Sequence, residues 1–231
     1  MTSIPEIFGI EIYNQELFTQ ALIHPSYTKE HELDYTKSYE RLEFLGDAVL
    51  KLMISNILYK KYPNFSEGEM SKIRSIVVSD ATLSKVCKKL ELSKLIILPK
   101  HEEKQGCREL ESVCACVFEA VLGAFYLDGK LSELMEFIER IFYPYIEDAE
   151  NNFEKFNAKA LLQEYTQAQT KEIPVYSIIK ESGPAHKKIF EVTVTYQNRI
   201  VGVGSGKSKK EAEQNSAYNA CIELGVIECQ K

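Results

Sequence analysis

The feature that most constrains this chain is a change of hydrophobic period well past its middle. Up to about residue 148, apolar side chains recur every three to four positions, the spacing that buries one face of an α-helix. Glu16–His24 makes a short amphipathic helix that runs into Pro25 as a stop, and Tyr39–Tyr62 is a long apolar helix ended by Pro63. Ser66–Val78 and Ser79–Leu92 read as two more, each with a serine where an N-cap belongs. Glu109–Leu127 is another, closed by Asp128-Gly129, and Leu131–Ile146 completes a set in which no period-two strand stands out. A polar, acidic stretch, EDAENNFEKFNA (147–158), then reads as a linker. Beyond a further helix at Ala158–Gln169 the pattern becomes β. VYSIIKE (175–181) and IFEVTVTYQ (189–197) are β-branched and aromatic, and in the second Phe190, Val192, Val194 and Tyr196 alternate with polar residues. The turn GPAHKK (183–188) joins them. NRIVGVGSG (198–206) follows a tight turn as a third strand, and Ser208 caps a last helix that ends at Gly225. The expected fold is an all-α N-terminal domain over 1–148, a linker over 149–157, and an α+β domain of order α-β-β-β-α over 158–227.

The same boundary separates the charges. The whole chain of 231 residues carries −6, which by itself argues against a polyanionic partner. Residues 1–156 hold 18 Lys+Arg against 26 Asp+Glu, however, and residues 157–231 hold 10 against 8, so a basic tail follows an acidic body. That arrangement suits a chain whose tail holds a polyanion. The longest apolar runs, such as Leu50–Leu58, are broken by Lys51, Ser55 and Asn56 and fall short of the roughly 20 apolar residues of a membrane span. The first residues lack the basic and apolar regions of a signal peptide, so a cytoplasmic home is expected. Six scattered cysteines without a C-x2-C pair give no zinc pattern and fit reduced thiols.

The stretch YERLEFLGDAVL (39–50) carries the chemistry. At about 100° per residue, Glu40, Glu43 and Asp47 fall within an arc of roughly 60°, on a helix otherwise made of Leu42, Phe44, Leu45, Val49 and Leu50. Such a stripe is either the solvated face of an amphipathic helix or a set of hard oxygen donors whose repulsion a divalent cation relieves. Gly46 bears on the choice. A glycine inside a helix costs roughly 0.5–1 kcal/mol against alanine, and this one sits beside the acids, where another backbone could approach. In ESVCACVFEAVLGAFYLD (111–128), Glu119 is the only acid between Val113 and Leu127, and Gly123 one turn on is a candidate partner for Gly46. The alternative reading is that Glu119 merely snorkels at a helix edge.

ERLEFLGDAVL, with HPSY (24–27) before it and FEAVLGAFYLD (118–128) after it, closely resembles the ribonuclease III signature, over most of residues 15–145. The resemblance implies Glu43, Asp47 and Glu119 as ligands of Mg²⁺, with Mn²⁺ as a substitute. It implies Asp47 and Glu119 as catalytic acids and Glu40 as an outer member contacting substrate or water. The implied reaction is hydrolysis of phosphodiesters in duplex RNA to 5′-phosphate and 3′-hydroxyl ends. The implied substrates are ribosomal RNA precursors and other structured transcripts, such as structured mRNA. One position departs from the pattern: where the family has an aspartate three residues before the equivalent of Glu119, this chain has Cys116. Asp128 cannot replace it, lying nine residues past Glu119 and about 180° round the helix from it. A thiol with an ordinary pKa of about 8.5, raised further by neighbouring carboxylates, is a poor magnesium ligand. The expectation is a weakened metal site shifted toward Mn²⁺, or simply a small core residue at 116.

Residues 158–225 resemble a double-stranded-RNA-binding domain over its whole length, with GPAH in the turn and GKSKKEAEQ (206–214) at the last helix start. By that resemblance Lys207, Lys209 and Lys210 grip phosphates at a helix N-terminus, while Gln163, Glu164 and His186 reach into minor grooves. Because a duplex has two antiparallel strands, a twofold homodimer matches it, and the resemblance implies that Phe44 inserts into the partner subunit. A core role for Phe44 in its own chain fits the spacing equally. Two other readings stand beside the enzyme: a non-catalytic duplex-binding protein on a decayed nuclease frame, for which Cys116 is the motive, and a ribosome-associated structural protein.

Overall fold

The computed structural model describes residues 3–184 and 188–227. Two compact units meet at Glu147/Asp148, and each is described by itself. The first contains α1 (Ile4–Phe8), α2 (Gln15–Leu22), α3 (Pro25–Glu30), α4 (Glu40–Lys61), α5 (Glu67–Val77), α6 (Asp80–Lys89), α7 (Lys100–Lys104) and α8 (Glu111–Leu127), with three short 3-10 turns between them. Helix α9 spans Leu131–Asn151. The caps behave as the serines suggested at α5, where the Ser66 hydroxyl accepts from Glu69 N and the Glu69 carboxylate accepts from Ser66 N. Pro25 does something else. It does not close α2, which ends at Leu22; it opens α3 at N1, where a missing N–H costs nothing, behind His24 as N-cap.

Helix α8 runs through the middle of this unit and packs against α2, α4 and α6. Phe118 and Phe125 are fully buried with Phe18 and Phe142, and the Phe125 ring lies 4.7 Å from that of Phe18 and 4.9 Å from that of Phe8. From Val113 to Phe125 every residue is buried except Cys116 and Glu119, which stand three apart on the same side of the helix.

The stretch expected as a linker is helical. Helix α9 continues to Asn151 and α10 (Phe153–Thr170) starts two residues later, so within 149–157 only Asn152 stands outside a helix. Polarity misled here: Ala, Glu, Lys and Phe are adequate helix formers, and solvation of the side chains does not oppose the backbone hydrogen bonds. The second unit continues with β1 (Val175–Ser182), β2 (Ile189–Tyr196), β3 (Arg199–Gly206) and α11 (Lys209–Glu223). The sheet is antiparallel in the order β1-β2-β3. Its β2–β3 hairpin closes through Gln197 and Asn198, both at positive φ, as a two-residue turn with the twist of its strands requires. Helices α10 and α11 cover one face around Ala158, Leu162, Val194, Ala217 and Ala220. The Lys159–Glu213 ion pair at 2.5 Å joins the two helices. Among the described residues no helix is long and apolar enough to cross a membrane.

Candidate active site and duplex-binding surface

Helices α4 and α8 touch backbone to backbone. A Cβ on Gly46 would lie 1.7 Å from the Glu119 carbonyl oxygen, and one on Gly123 would lie 2.3 Å from the Leu42 carbonyl oxygen. Only glycine permits either approach, which explains why two helix-weakening residues sit beside the acids. The crossing decides the site, because Glu43 and Asp47 flank Gly46 and Glu119 lies one turn before Gly123. All three are neither buried nor fully exposed. Burial pushes the Glu119 carboxyl up to about 8, reinforced by the charges of Asp47, Glu43 and Asp80 and opposed by Lys51. The Cys116 thiol is pushed up to about 12, first by burial and then by a hydrogen bond to Glu43 and the charges of Glu43, Glu119 and Asp80. It is a neutral thiol at physiological pH.

Glu40 stands at the outer end of the stripe. It is exposed, accepts a hydrogen bond from the Ser38 hydroxyl at 3.2 Å, and its charge acts on His24 and Tyr39 rather than on Glu119. Asp128 has a separate task, its two carboxylate oxygens accepting from Tyr13 N at 2.8 Å and Asn14 N at 2.9 Å ahead of α2. Two residues of the site went unread in the sequence. Asp80 occupies the first turn of α6, and nothing in its local sequence says that this helix end faces α8. Lys51 binds Asp47 with Nζ 2.7 Å from Oδ2; here the i,i+4 spacing after Asp47 was the available signal.

Phe44 is 83% exposed, so it has no place in the core of its own chain. It shares the outer side of α4 with Leu52 and Tyr59, also exposed, beside a groove of about 400 Å³ lined by Leu58, Met70 and Arg74 among others.

In the second unit Gln163 and Glu164 are exposed on α10, and Lys207, Lys209 and Lys210 are exposed where α11 begins. Ser208 caps that helix by accepting from Glu211 N at 3.1 Å, while Glu211 accepts from Lys207 N at 2.8 Å. Glu181 on β1 lies 3.1 Å from Lys188 Nζ and 3.8 Å from Lys209 Nζ. His186, the remaining candidate, lies outside the described residues.

Residues 14–146 match the family described as Ribonuclease-III-like, and residues 158–224 match the double-stranded RNA binding motif. The chain belongs to the ribonuclease III family. Curated relatives named Ribonuclease 3 include one from Listeria welshimeri, 41% identical with 96% of each chain covered. Another, from Bacillus licheniformis, is 41% identical with 95% of this chain and 88% of that one covered. Among solved structures, the nuclease domain of the Campylobacter jejuni ribonuclease III is 32% identical with a TM-score of 0.53, covering 64% of this chain and 96% of that one. A second structure of that domain, 31% identical with a TM-score of 0.52 and covering 62% and 94%, is described as showing structural flexibility in a region involved in dimer formation. The family architecture is therefore an all-helical ribonuclease III nuclease domain followed by a double-stranded-RNA-binding domain, as expected, and the chain is a ribonuclease III enzyme.

The family implies a divalent cation, and the donor chemistry here suits a hard one. The charges of Asp47 and Glu43 reach the half-buried Glu119 across the helix contact, and burial together with those charges favours its protonated form. Among the described residues, no three His, Cys, Asp or Glu side chains are already grouped as a ligand set. Asp47 is paired with Lys51 instead.

Proposed function

We propose that the protein hydrolyses phosphodiester bonds of double-stranded RNA, with residues 1–148 cutting and residues 158–227 holding the duplex. The observation that carries this reading is the Gly46–Gly123 crossing, which brings Glu119 within reach of the charges of Glu43 and Asp47. Glu43, Asp47 and Glu119 would hold Mg²⁺, or Mn²⁺ in its place. The bound ion would acidify a water and offset charge on the phosphate. Water oxygen bonds to phosphorus, the bond to the 3′ oxygen breaks, and that oxygen takes a proton, leaving a 5′-phosphate and a 3′-hydroxyl. Burial and its acidic neighbours favour the protonated form of Glu119 when no cation is bound, so the arriving ion would take the place of that proton. Asp47 and Glu119 act as the catalytic acids, while Glu40, at the exposed end, contacts substrate or its water. Cys116, neutral and soft, supplies no ligand and leaves a position to water.

Lys207, Lys209 and Lys210 would take phosphates, and Gln163, Glu164 and His186 would reach 2′-hydroxyls and base edges in the minor grooves. A homodimer would form on the exposed side of α4, with Phe44 entering the groove beside α5 of a second copy. Large exposed aromatics beside an apolar groove are the surface such a contact buries. Cytoplasmic ribosomal RNA precursors and structured mRNA are the substrates that suit this activity.

The test is incubation of a long RNA duplex with Mg²⁺ or Mn²⁺. Cleavage by the parent and a loss of about a thousandfold or more in Glu119→Gln are expected, with duplex binding retained in both. In the same assay Cys116→Asp should lower the metal concentration needed. Binding without cleavage under either metal would leave only a duplex-binding protein.

A further inference from the structure

Asp47 is not free to close on a cation. Its Oδ2 lies 2.7 Å from Lys51 Nζ, one turn along α4, with side chains 39% and 50% exposed. Water screens both groups, so this pair holds Asp47 in place without holding it strongly. A divalent ion brings twice the charge to the same oxygen and displaces the ammonium readily.

Lys51 is also a cation in an acidic surround. Of the described charges acting on Glu119, those of Asp47, Glu43 and Asp80 are negative and that of Lys51 is positive. A polyanion arriving at these carboxylates meets repulsion from all of them, while the ammonium is engaged on Asp47. The helical turn that carries Lys51 is itself tied down: the Ser55 hydroxyl donates to the Lys51 carbonyl at 2.5 Å and accepts from Arg74 Nη1 at 2.7 Å. The side chain therefore swings from a fixed root, about 6 Å along the helix axis from Asp47.

We propose that Lys51 is a phosphate-binding residue of the cleavage site, held on Asp47 until a divalent cation takes that carboxylate and then turned to a backbone phosphate of the duplex. This rests on the nuclease reading above and adds to it a residue that couples metal binding to substrate binding. The exchange keeps every partner charged and paired: the ion replaces the ammonium on Asp47, and the phosphate replaces Asp47 on the ammonium.

The experiment compares the full-length protein with Lys51→Met and Lys51→Arg. Mn²⁺ binding without RNA, read by electron paramagnetic resonance, should tighten about tenfold in Lys51→Met, because a competing cation is gone, and stay at the parent value in Lys51→Arg. At saturating Mn²⁺, the KM for a long RNA duplex should rise about tenfold in Lys51→Met, with the loss on KM rather than kcat, and Lys51→Arg should restore it. The side chain is half exposed, and an unchanged thermal midpoint confirms that folding is not the cause. Mn²⁺ binding no tighter in Lys51→Met than in the parent overturns the exchange, and an unchanged KM overturns the phosphate contact. Failure of the parent to cut duplex RNA would sink the nuclease reading instead, an outcome the metal titration does not share.

Discussion

Helix α4 meets α8 at Gly46 and Gly123, and strand β3 meets α11 at Gly202 and Gly204; in both units a missing side chain lets backbone touch backbone. What each contact delivers is different. In the first unit the close crossing sets Glu43 and Asp47 beside the half-buried Glu119, whose carboxyl burial and the charges of those acids push up to about 8. In the second unit the contact seats α11 so that Lys207, Lys209 and Lys210 stand in solvent at its start. Bond cleavage gains from desolvated charge, whose interactions are strong, whereas capture of a polyanion gains from exposed charge that releases counterions. The same packing device thus serves a reacting site by hiding its acids and a gripping site by presenting its bases.

The comparison breaks first, and most severely, at the glycines. Gly46→Ala should destabilise the nuclease unit by about 3 kcal/mol or more, since the added carbon would meet the Glu119 carbonyl oxygen at 1.7 Å. Gly204→Ala, whose carbon would lie 2.1 Å from Ser216 N, should do the same to the second unit. Urea unfolding followed separately in each unit checks this; two tolerated substitutions would mean that neither contact is close in solution.

Next comes the exposed side of the contrast. Replacing Lys207, Lys209 and Lys210 together by alanine should weaken duplex binding about tenfold or more and lower the slope of log affinity against log salt by about 3, leaving thermal stability nearly unchanged. A slope that stays put would remove these lysines from the binding surface.

The buried side is sharpened by pH. Glu119 has a folded-state pKa above its ordinary one, so the folded state holds a proton that the unfolded chain has released. In chelator, stability from this group is present at acid pH and lost as pH rises through about 8. Glu119→Gln should flatten that decline in Tm; an identical pH profile for parent and variant would show that the acid is not desolvated.

The smallest effect concerns Glu181, which lies within 4 Å of both Lys188 and Lys209. As an exposed acid beside phosphate-gripping lysines it should oppose the duplex, so Glu181→Gln should tighten binding about twofold. Weaker binding would make it a staple that positions those lysines.

Much of this was legible along the chain. The change of period separates helices from sheet, the Ser66 and Ser208 caps and the Gly225 end lie where they were read, and Gly46 and Gly123 do meet. These are local or strongly patterned signals, in which a few neighbouring residues decide the backbone. Other features were not legible. Pro25 opens a helix because of a chain direction that its own neighbours do not encode. The acidic stretch after Glu147 is helical because backbone propensity outweighed its polarity. By itself the sequence determined the long helices and the three strands, and which acids share a stripe on α4, since period and propensity act over a few residues. Only the tertiary structure decided that Asp80 faces Glu119 and Cys116, that Phe44 is exposed, and that burial lifts the Glu119 carboxyl. Each of those depends on desolvation and on charges brought close from distant parts of the chain, and through-space distances of that kind exist only once the helices have packed.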